Sequence, residues 1–352
     1  MIVVLTGGGT MGHITPLMEF KEELEKRGNH TFYYLGNENY IEKEVAKKRN
    51  INFYHIRSSS TEGFHKLNNK ISFIKRNMLG VKDATKMLRE IKPDMIISTG
   101  GFVTAPILAA ATMLKIPFFL HEQNKVVGKV NKLFLMKATQ IYYTFEHTVN
   151  GQNKKTGKTF GNPVKRFETE GPKSSILFLG GSGGSEFMNE LAIQYAKENP
   201  NKKIILQAGE KRKEKHQKKV EELNLTNIDV IGFESMGKLL SQAKVVISRA
   251  GSSTISELIE NEKPMLVIPF PQSADDHQYE NAKYVKDTGV GRMSIEKDGF
   301  EKIIKEINEL QKSKKIQKNK YNIKKYKKVN IRENIINDMY EIMNGKMKFN
   351  KK

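Results

Sequence analysis

Residues 6–16, TGGGTMGHITP, set Gly7, Gly8, Gly9 and Gly12 just ahead of a histidine, His13, and a proline. Glycine accepts positive φ and lets backbone N–H groups come close to a ligand, which suits an anion such as a phosphate. The run Met1 to Leu5 is short and apolar, and Ile14 to Arg27 carries apolar residues at helical spacing, so the glycines sit on a strand-to-helix turn. The positive end of the helix dipole adds to the attraction for a phosphate. His13 is not needed for that binding. At a helix start its imidazole is expected to stay neutral and able to accept a proton near pH 7, which suits a general base acting on a hydroxyl. Two other readings compete. One is a histidine that packs or caps in a turn. The other is a dinucleotide fingerprint, because Gly7, Gly9 and Gly12 satisfy G-x-G-x-x-G and Glu38 could bind a ribose. That second reading, an NAD-dependent oxidoreductase, leaves both His13 and a second glycine loop, LGGSGGSE, unexplained.

A further candidate is SRAGSSTISELIE, Ser248 to Glu260. A strand ending at Gly251 and a helix opened by Ser252, Ser253 and Thr254 offers hydroxyls and N–H groups to a diphosphate. Glu257, one turn in, is placed to accept both hydroxyls of a ribose. The same spacing of Thr254 and Glu257 is that of an ordinary capping box. In PFPQSADDHQYENA, Pro269 to Ala282, a loop feeds a helix with Asp275, Asp276, His277 and Gln278 at its start. Two acids beside a histidine raise a metal site, but acids are commonplace at helix starts and no D-x-D follows a strand, so no metal is expected. HEQNK and GNPVKR each end a strand-like run. Asn124 in the first is a candidate to hydrogen-bond a substrate and Lys165 or Arg166 in the second to meet a phosphate, against simple turn chemistry.

Positioning these groups requires a regular frame. Apolar runs IVVL, HTFYYLG, MIISTGG, PFFLHEQ and QIYYTF alternate with helical patterns, and ILFLGG, KIILQAG, IDVIGF, VVISRAG and PMLVIPFP repeat the arrangement. Such alternation indicates parallel sheets with crossover helices. The fold class expected is α/β, two Rossmann-like domains facing each other, each opening on a strand and a glycine turn. The polar stretch Gly151 to Lys173, rich in Gly, Lys and Pro, reads as the linker. Beyond Lys312 lysine dominates, yet ENIINDMYEIM keeps helical spacing and predicts a tail helix docked on one domain.

The 352 residues suit about two domains. There is no cysteine, which excludes disulfides, thiolate catalysis and cysteine zinc sites. Met1 runs straight into a strand with no basic segment before it, so no signal peptide is expected. The apolar run Phe102 to Leu120 is broken by Pro106, Lys115 and Pro117 and reads as a helix then a strand. A formal charge of +21 suggests an anionic partner or compositional drift on solvated faces, and no aromatic interleaving points to nucleic acid. One basic segment is amphipathic: Phe64, Leu67, Ile71, Ile74, Met78 and Leu79 recur at near-helical spacing among Lys66, Lys70, Lys75, Arg76 and Lys82. It could lie on an anionic bilayer or be a surface helix with its apolar face turned inward.

Taken in order and spacing, TGGGTMGHITP, STGGFVTAP, HEQN, GNPV, GGSGG, GFESM, AGSSTISE, PFPQ and HQYENA resemble the MurG family, the bacterial N-acetylglucosaminyltransferases of peptidoglycan synthesis. The resemblance runs over nearly the whole chain. It implies a GT-B fold, with an acceptor and membrane-docking domain over 1–163, rejoined by the tail 333–352, and a donor domain over 164–332. It implies inverting transfer of GlcNAc from UDP-GlcNAc to the C4 hydroxyl of undecaprenyl-diphospho-MurNAc-pentapeptide (lipid I), giving lipid II. The partners implied are UDP-GlcNAc, lipid I, the anionic inner-membrane surface at its cytoplasmic face and other cell-wall synthesis proteins, with no nucleic acid and no cofactor. By the same resemblance His13 is the base, and Thr10, Met11 and Gly12 lie at the acceptor diphosphate and donor sugar. Asn124 is near the sugars, Ser182 touches the donor, and Phe233 reads the uracil through its backbone. Ser252, Ser253 and Thr254 hold the diphosphate within a donor segment that includes Ile255 and Ser256, Glu257 binds the ribose, and Gln278 fixes the GlcNAc hydroxyls. Ile71, Ile74, Lys75, Arg76 and Met78 are the docking candidates. The sequence departs from the family at Lys165, where an arginine is usual and Arg166 is adjacent, at Phe102 in place of a tyrosine, and at His277. A related UDP-sugar transferase acting on diacylglycerol shares the donor domain, but HEQN and GGFVTAP speak against it.

Overall fold

Apolar runs buried on both faces can satisfy their backbone only in a sheet covered by helices on each side. A computed structural model describes residues 1–38, 41–59, 67–146, 157–167, 174–181 and 183–349. The chain divides into two compact units, Met1–Pro163 with Val329–Lys352, and Val164–Lys328.

Unit 1 runs β1 (Ile2–Thr6), α1 (Met11–Glu25), β2 (Thr31–Gly36), α2 (Glu42–Lys48), β3 (Asn52–His55), α3 (Leu67–Ile91), β4 (Met95–Ser98), α4 (Ala105–Leu114), β5 (Phe118–Glu122), α5 (Lys129–Phe134), β6 (Gln140–Tyr143) and β7 (Lys158–Thr159). The strands form a parallel sheet in the order β3-β2-β1-β4-β5-β6-β7. Alternation along β1 sends Val3 and Leu5 to one face, with α1, and Val4 to the other, with Leu88 and Ile107 of α3 and α4.

Unit 2 repeats the pattern with β8 (Ser175–Leu179), α6 (Glu186–Glu198), β9 (Ile204–Gln207), α7 (Glu210–Glu222), β10 (Ile228–Ile231), α8 (Met236–Gln242), β11 (Ala243–Arg249), α9 (Ser252–Glu260), β12 (Met265–Ile268), α10 (His277–Thr288), β13 (Arg292–Met293), α11 (Gly299–Leu310) and α12 (Ser313–Tyr326). Its parallel sheet has the order β10-β9-β8-β11-β12-β13. The last helix, α13 (Ile331–Phe349), belongs to unit 1, where Ile335, Ile336, Met339 and Met343 enter the core beside α1.

Three strands escape the sequence reading. β3 has a half-polar sequence, NFYH, and β7 and β13 are two residues each, too short for a periodic signal. β7 lies within the stretch read as linker, where Lys158 and Thr159 pair with Tyr142 and Tyr143. Of that stretch, residues 151–156 and 168–173 lie outside the described residues, as do Phe64 and Lys66 of the amphipathic segment.

Candidate active site

In each sheet the strand order reverses direction beside the first strand, between β1 and β4 in unit 1 and between β8 and β11 in unit 2. The turns beyond the carboxyl ends of those strands flank the crevice where open α/β sheets bind ligands. Every glycine-rich motif of the sequence falls on one of these four turns.

In unit 1 two turns meet backbone to backbone. The Gly8 N–H donates to Gly100 O at 3.4 Å. A Cβ on Gly101, whose φ is +91, would lie 2.5 Å from Gly8 O, and one on Gly7 would lie 2.0 Å from Thr99 Oγ1. Glycine is required there because nothing larger fits. The half-buried His13, in the first turn of α1, has Nδ1 2.9 Å from Thr99 O. A carbonyl can only accept, so Nδ1 carries the proton and the basic lone pair lies on Nε2. Thr99 Oγ1 donates back to His13 O at 2.6 Å, and Gln123 Nε2 donates to the same Thr99 carbonyl at 3.0 Å. The structure thus brings His13, STGG and HEQN together. Thr10 caps α1 without any side-chain cap bond, so Met11 and Gly12 open the helix on backbone alone.

Two buried acids beneath these turns had no strong signal in the sequence. Glu42 accepts the Gly9 N–H at 3.0 Å, and Tyr34 donates its hydroxyl to Gly7 O. Glu122 accepts the N–H groups of Asn124 and Gly128 and the Asn131 amide, each at 2.9 Å, and so shapes the loop that carries Asn124. Burial raises the carboxyl pKa of both acids. Glu42 reads in the sequence as an ordinary acid at a helix start.

In unit 2 the N-cap of α9 is Gly251, and no side chain caps it. Thr254 therefore lies inside the helix, and the capping-box reading of Thr254 with Glu257 does not hold. Helical period turns Ser252, Ile255 and Ser256 inward: Ile255 is fully buried, and Ser256 Oγ donates to Ser252 O at 2.8 Å. Ser253, Thr254 and Glu257 are half-buried on the other side. The helix α6 differs, because Ser185 Oγ accepts the Met188 N–H at 3.4 Å and caps it. Arg249, buried at the end of β11, holds this side of the sheet. Its Nη2 reaches Ser185 Oγ at 2.8 Å and Glu296 at 2.5 Å, and its Nη1 reaches Pro269 O at 3.2 Å.

Beside the second glycine turn is a cavity of about 460 Å³ lined by Gly181, Gly183, Gln207, Lys211, Arg212 and Phe233. Phe233 is 71% exposed. Gln278 Oε1 accepts the Phe270 N–H at 3.0 Å, and His277 Nδ1 lies 2.6 Å from Ala274 O, so both belong to the turn that opens α10. Lys165 and Arg166 are held elsewhere. Asn261, beyond the last turn of α9, bonds Lys165 O at 3.2 Å and the Phe167 N–H at 2.8 Å. That is the far end of the helix from Ser252, roughly 13 Å away along nine residues. Ser182 lies outside the described residues.

Two parallel nucleotide-type sheets, each with a glycine turn at its switch point, are the arrangement of the two-domain GT-B fold. Residues 3–143 match the glycosyltransferase family 28 N-terminal domain and residues 175–335 the family's C-terminal domain. The chain belongs to glycosyltransferase family 28 as a MurG homologue, and is a transferase. It is 32% identical over 329 residues, 88% of this chain and 90% of the relative, to UDP-N-acetylglucosamine--N-acetylmuramyl-(pentapeptide) pyrophosphoryl-undecaprenol N-acetylglucosamine transferase 1 of Bacillus cereus. A Listeria welshimeri protein of the same name, without the number, is 33% identical over 302 residues, 80% of this chain and 83% of its own. Among solved structures, Acinetobacter baumannii MurG superposes with a TM-score of 0.77 at 23% identity, covering 97% of this chain and 99% of that one. The calicheamicin glycosyltransferase CalG4 gives 0.72 at 11% identity over 97% and 98%, a likeness of fold.

Proposed function

We propose that this chain moves GlcNAc from UDP-GlcNAc to the C4 hydroxyl of lipid I, with inversion, to form lipid II. The observation that carries the mechanism is the Nδ1 to Thr99 O bond, which fixes the His13 tautomer with its lone pair on Nε2. Nε2 takes the proton of the attacking C4 hydroxyl as the new bond to the sugar C1 forms. The bond from C1 to the UDP oxygen breaks, and the departing diphosphate gathers negative charge. The first turn of α9, with the half-buried Ser253 and Thr254 and no side chain at its cap, supplies N–H and hydroxyl donors for that charge. Glu257, one turn on, suits the ribose, and the cavity under Phe233 suits the nucleoside. The cations closest to that cavity are Lys211 and Arg212, which makes them rivals of Lys165 and Arg166 for the donor phosphates.

The acceptor is a lipid, and no helix among the described residues is long and apolar enough to cross a membrane. Ile71, Ile74 and Met78 of α3 are 59%, 56% and 68% exposed, with Lys75 and Arg76 exposed beside them. Further along α3, Leu79 is half-buried and Ala84 and Leu88 are buried in the core, so the helix carries both an inward face and this exposed one. Met113, 67% exposed, lies on α4, which packs against α3. Apolar side chains ringed by cations suit peripheral docking on an anionic leaflet, here the cytoplasmic face of the cell membrane. Production of lipid II there would tie the chain to peptidoglycan synthesis, cell shape and division, and to other cell-wall synthesis proteins.

The test is transfer of radiolabelled GlcNAc from UDP-GlcNAc to a short-chain lipid I analogue, with diacylglycerol as a parallel acceptor. Product with lipid I alone supports the assignment. Product with diacylglycerol alone, or none with either, overturns it.

A further inference from the structure

In unit 2, on the outer side of α6 and α7, three side chains form a cluster that the transfer reaction does not use. Glu186 and Glu190 stand one turn apart on α6, and His216 reaches them from α7. His216 is fully buried, and its Nε2 has no hydrogen-bond partner. Its Nδ1 lies 2.9 Å from the Arg212 carbonyl, to which it donates, and 3.4 Å from the Asn189 amide; in the neutral ring Nε2 then carries the lone pair. That lone pair faces Glu186 Oε1 at 3.5 Å and Glu190 Oε1 at 3.7 Å, two further lone-pair donors.

With the ring neutral, three lone-pair donors converge at one point, where a cation can bridge them. We infer that Glu186, Glu190 and His216 form a site for a first-row divalent metal ion, of which Zn²⁺ is the best match. A tetrahedral zinc with bonds of about 2.0–2.2 Å places its ligands roughly 3.3–3.6 Å apart, close to the separations here. All three ligand atoms lie within 4.8 Å of one another. One imidazole and two carboxylates suit zinc or its neighbours better than Mg²⁺ or Ca²⁺, which favour all-oxygen sets. The Nδ1–H bond to a backbone carbonyl is the outer contact that orients metal-binding histidines.

The surroundings are basic, and the ion has to displace part of them. Lys215 pairs with Glu186 Oε1, Arg212 Nε lies 3.6 Å from Glu186 Oε2, and Lys219 pairs with Glu190 Oε2. The Lys215 side chain is 65% exposed, so it can turn to solvent when the ion takes its oxygen. Occupancy would tie the first turn of α6, which follows the second glycine turn, to α7 and so stabilise unit 2.

The experiment uses the full chain, stripped with EDTA and desalted, then titrated with ZnCl₂ by calorimetry and with CoCl₂ by visible absorbance. Wild type is expected to take up one saturable Zn²⁺ equivalent and to show a raised Tm with Zn²⁺. The Glu186→Gln/Glu190→Gln variant is expected to bind at least about tenfold more weakly, since even outer-contact losses at metal sites cost 10–100-fold. Its substitutions lie at the helix surface, so it folds where a change at the buried His216 could fail to. Absence of saturable binding in the wild type overturns the proposal, as does undiminished binding in the double variant.

Discussion

At the scale of single residues, the proposed chemistry rests on hydrogen bonds that orient. His13 is held by a carbonyl at Nδ1, and that carbonyl is itself fixed by Gln123. His13→Ala is expected to lower kcat about 10²-fold or more with little change in fold, the usual contribution of a general base. Steady-state rates and circular dichroism of the purified variant would check this, and an unchanged kcat would remove His13 from the base role. Glu257→Ala should act differently, because a ribose contact exists before the transition state. It is expected to raise KM for UDP-GlcNAc several-fold more than it lowers kcat. His13 stood out in the sequence because it follows a glycine turn at a helix start. Glu42 and Glu122 did not, since an acid matters to these turns only once burial and three-dimensional neighbours are known.

At the scale of elements, α3 and β5 carry the sharpest consequences. Exposure of Ile71 and Ile74 means that serine there should leave the fold intact. The Ile71→Ser/Ile74→Ser variant is expected to sediment less with anionic vesicles than wild type, and equal sedimentation would free α3 from any docking role. On β5, His121 is fully buried with Nε2 3.1 Å from Gly161 O, and burial pulls its pKa down from 6.5 to about 4. As pH falls from 6.5 towards 4, the unfolded chain takes up a proton that folded unit 1 refuses, so stability is present above the window and lost through it. The loss between about pH 7 and pH 5 should be roughly 2 kcal/mol from this group. Urea midpoints at the two pH values would show it, and His121→Asn should flatten the difference. The strands with long apolar runs could be read directly, whereas β3, β7 and β13 exist because a neighbouring strand offers a ladder to pair with.

At the scale of the whole molecule, the chain passes to unit 2 after Pro163 and returns to unit 1 at Val329. The α13 helix is therefore part of the core of unit 1, although it ends the sequence. Ile336, fully buried beside α1, should cost about 2–5 kcal/mol when changed to alanine. Calorimetry should show the transition of unit 1 moving down while that of unit 2 stays. The sequence by itself determined the two-sheet class, the glycine turns and the histidine, because apolar runs, glycine punctuation and helix starts are local and written in consecutive residues. Only the tertiary structure decided which turns meet, which serines of α9 face inward, that Lys165 and Arg166 sit at the far end of that helix, and that His216 faces two carboxylates. Those facts depend on contacts between residues tens of positions apart, and spacing along a chain does not encode direction in space.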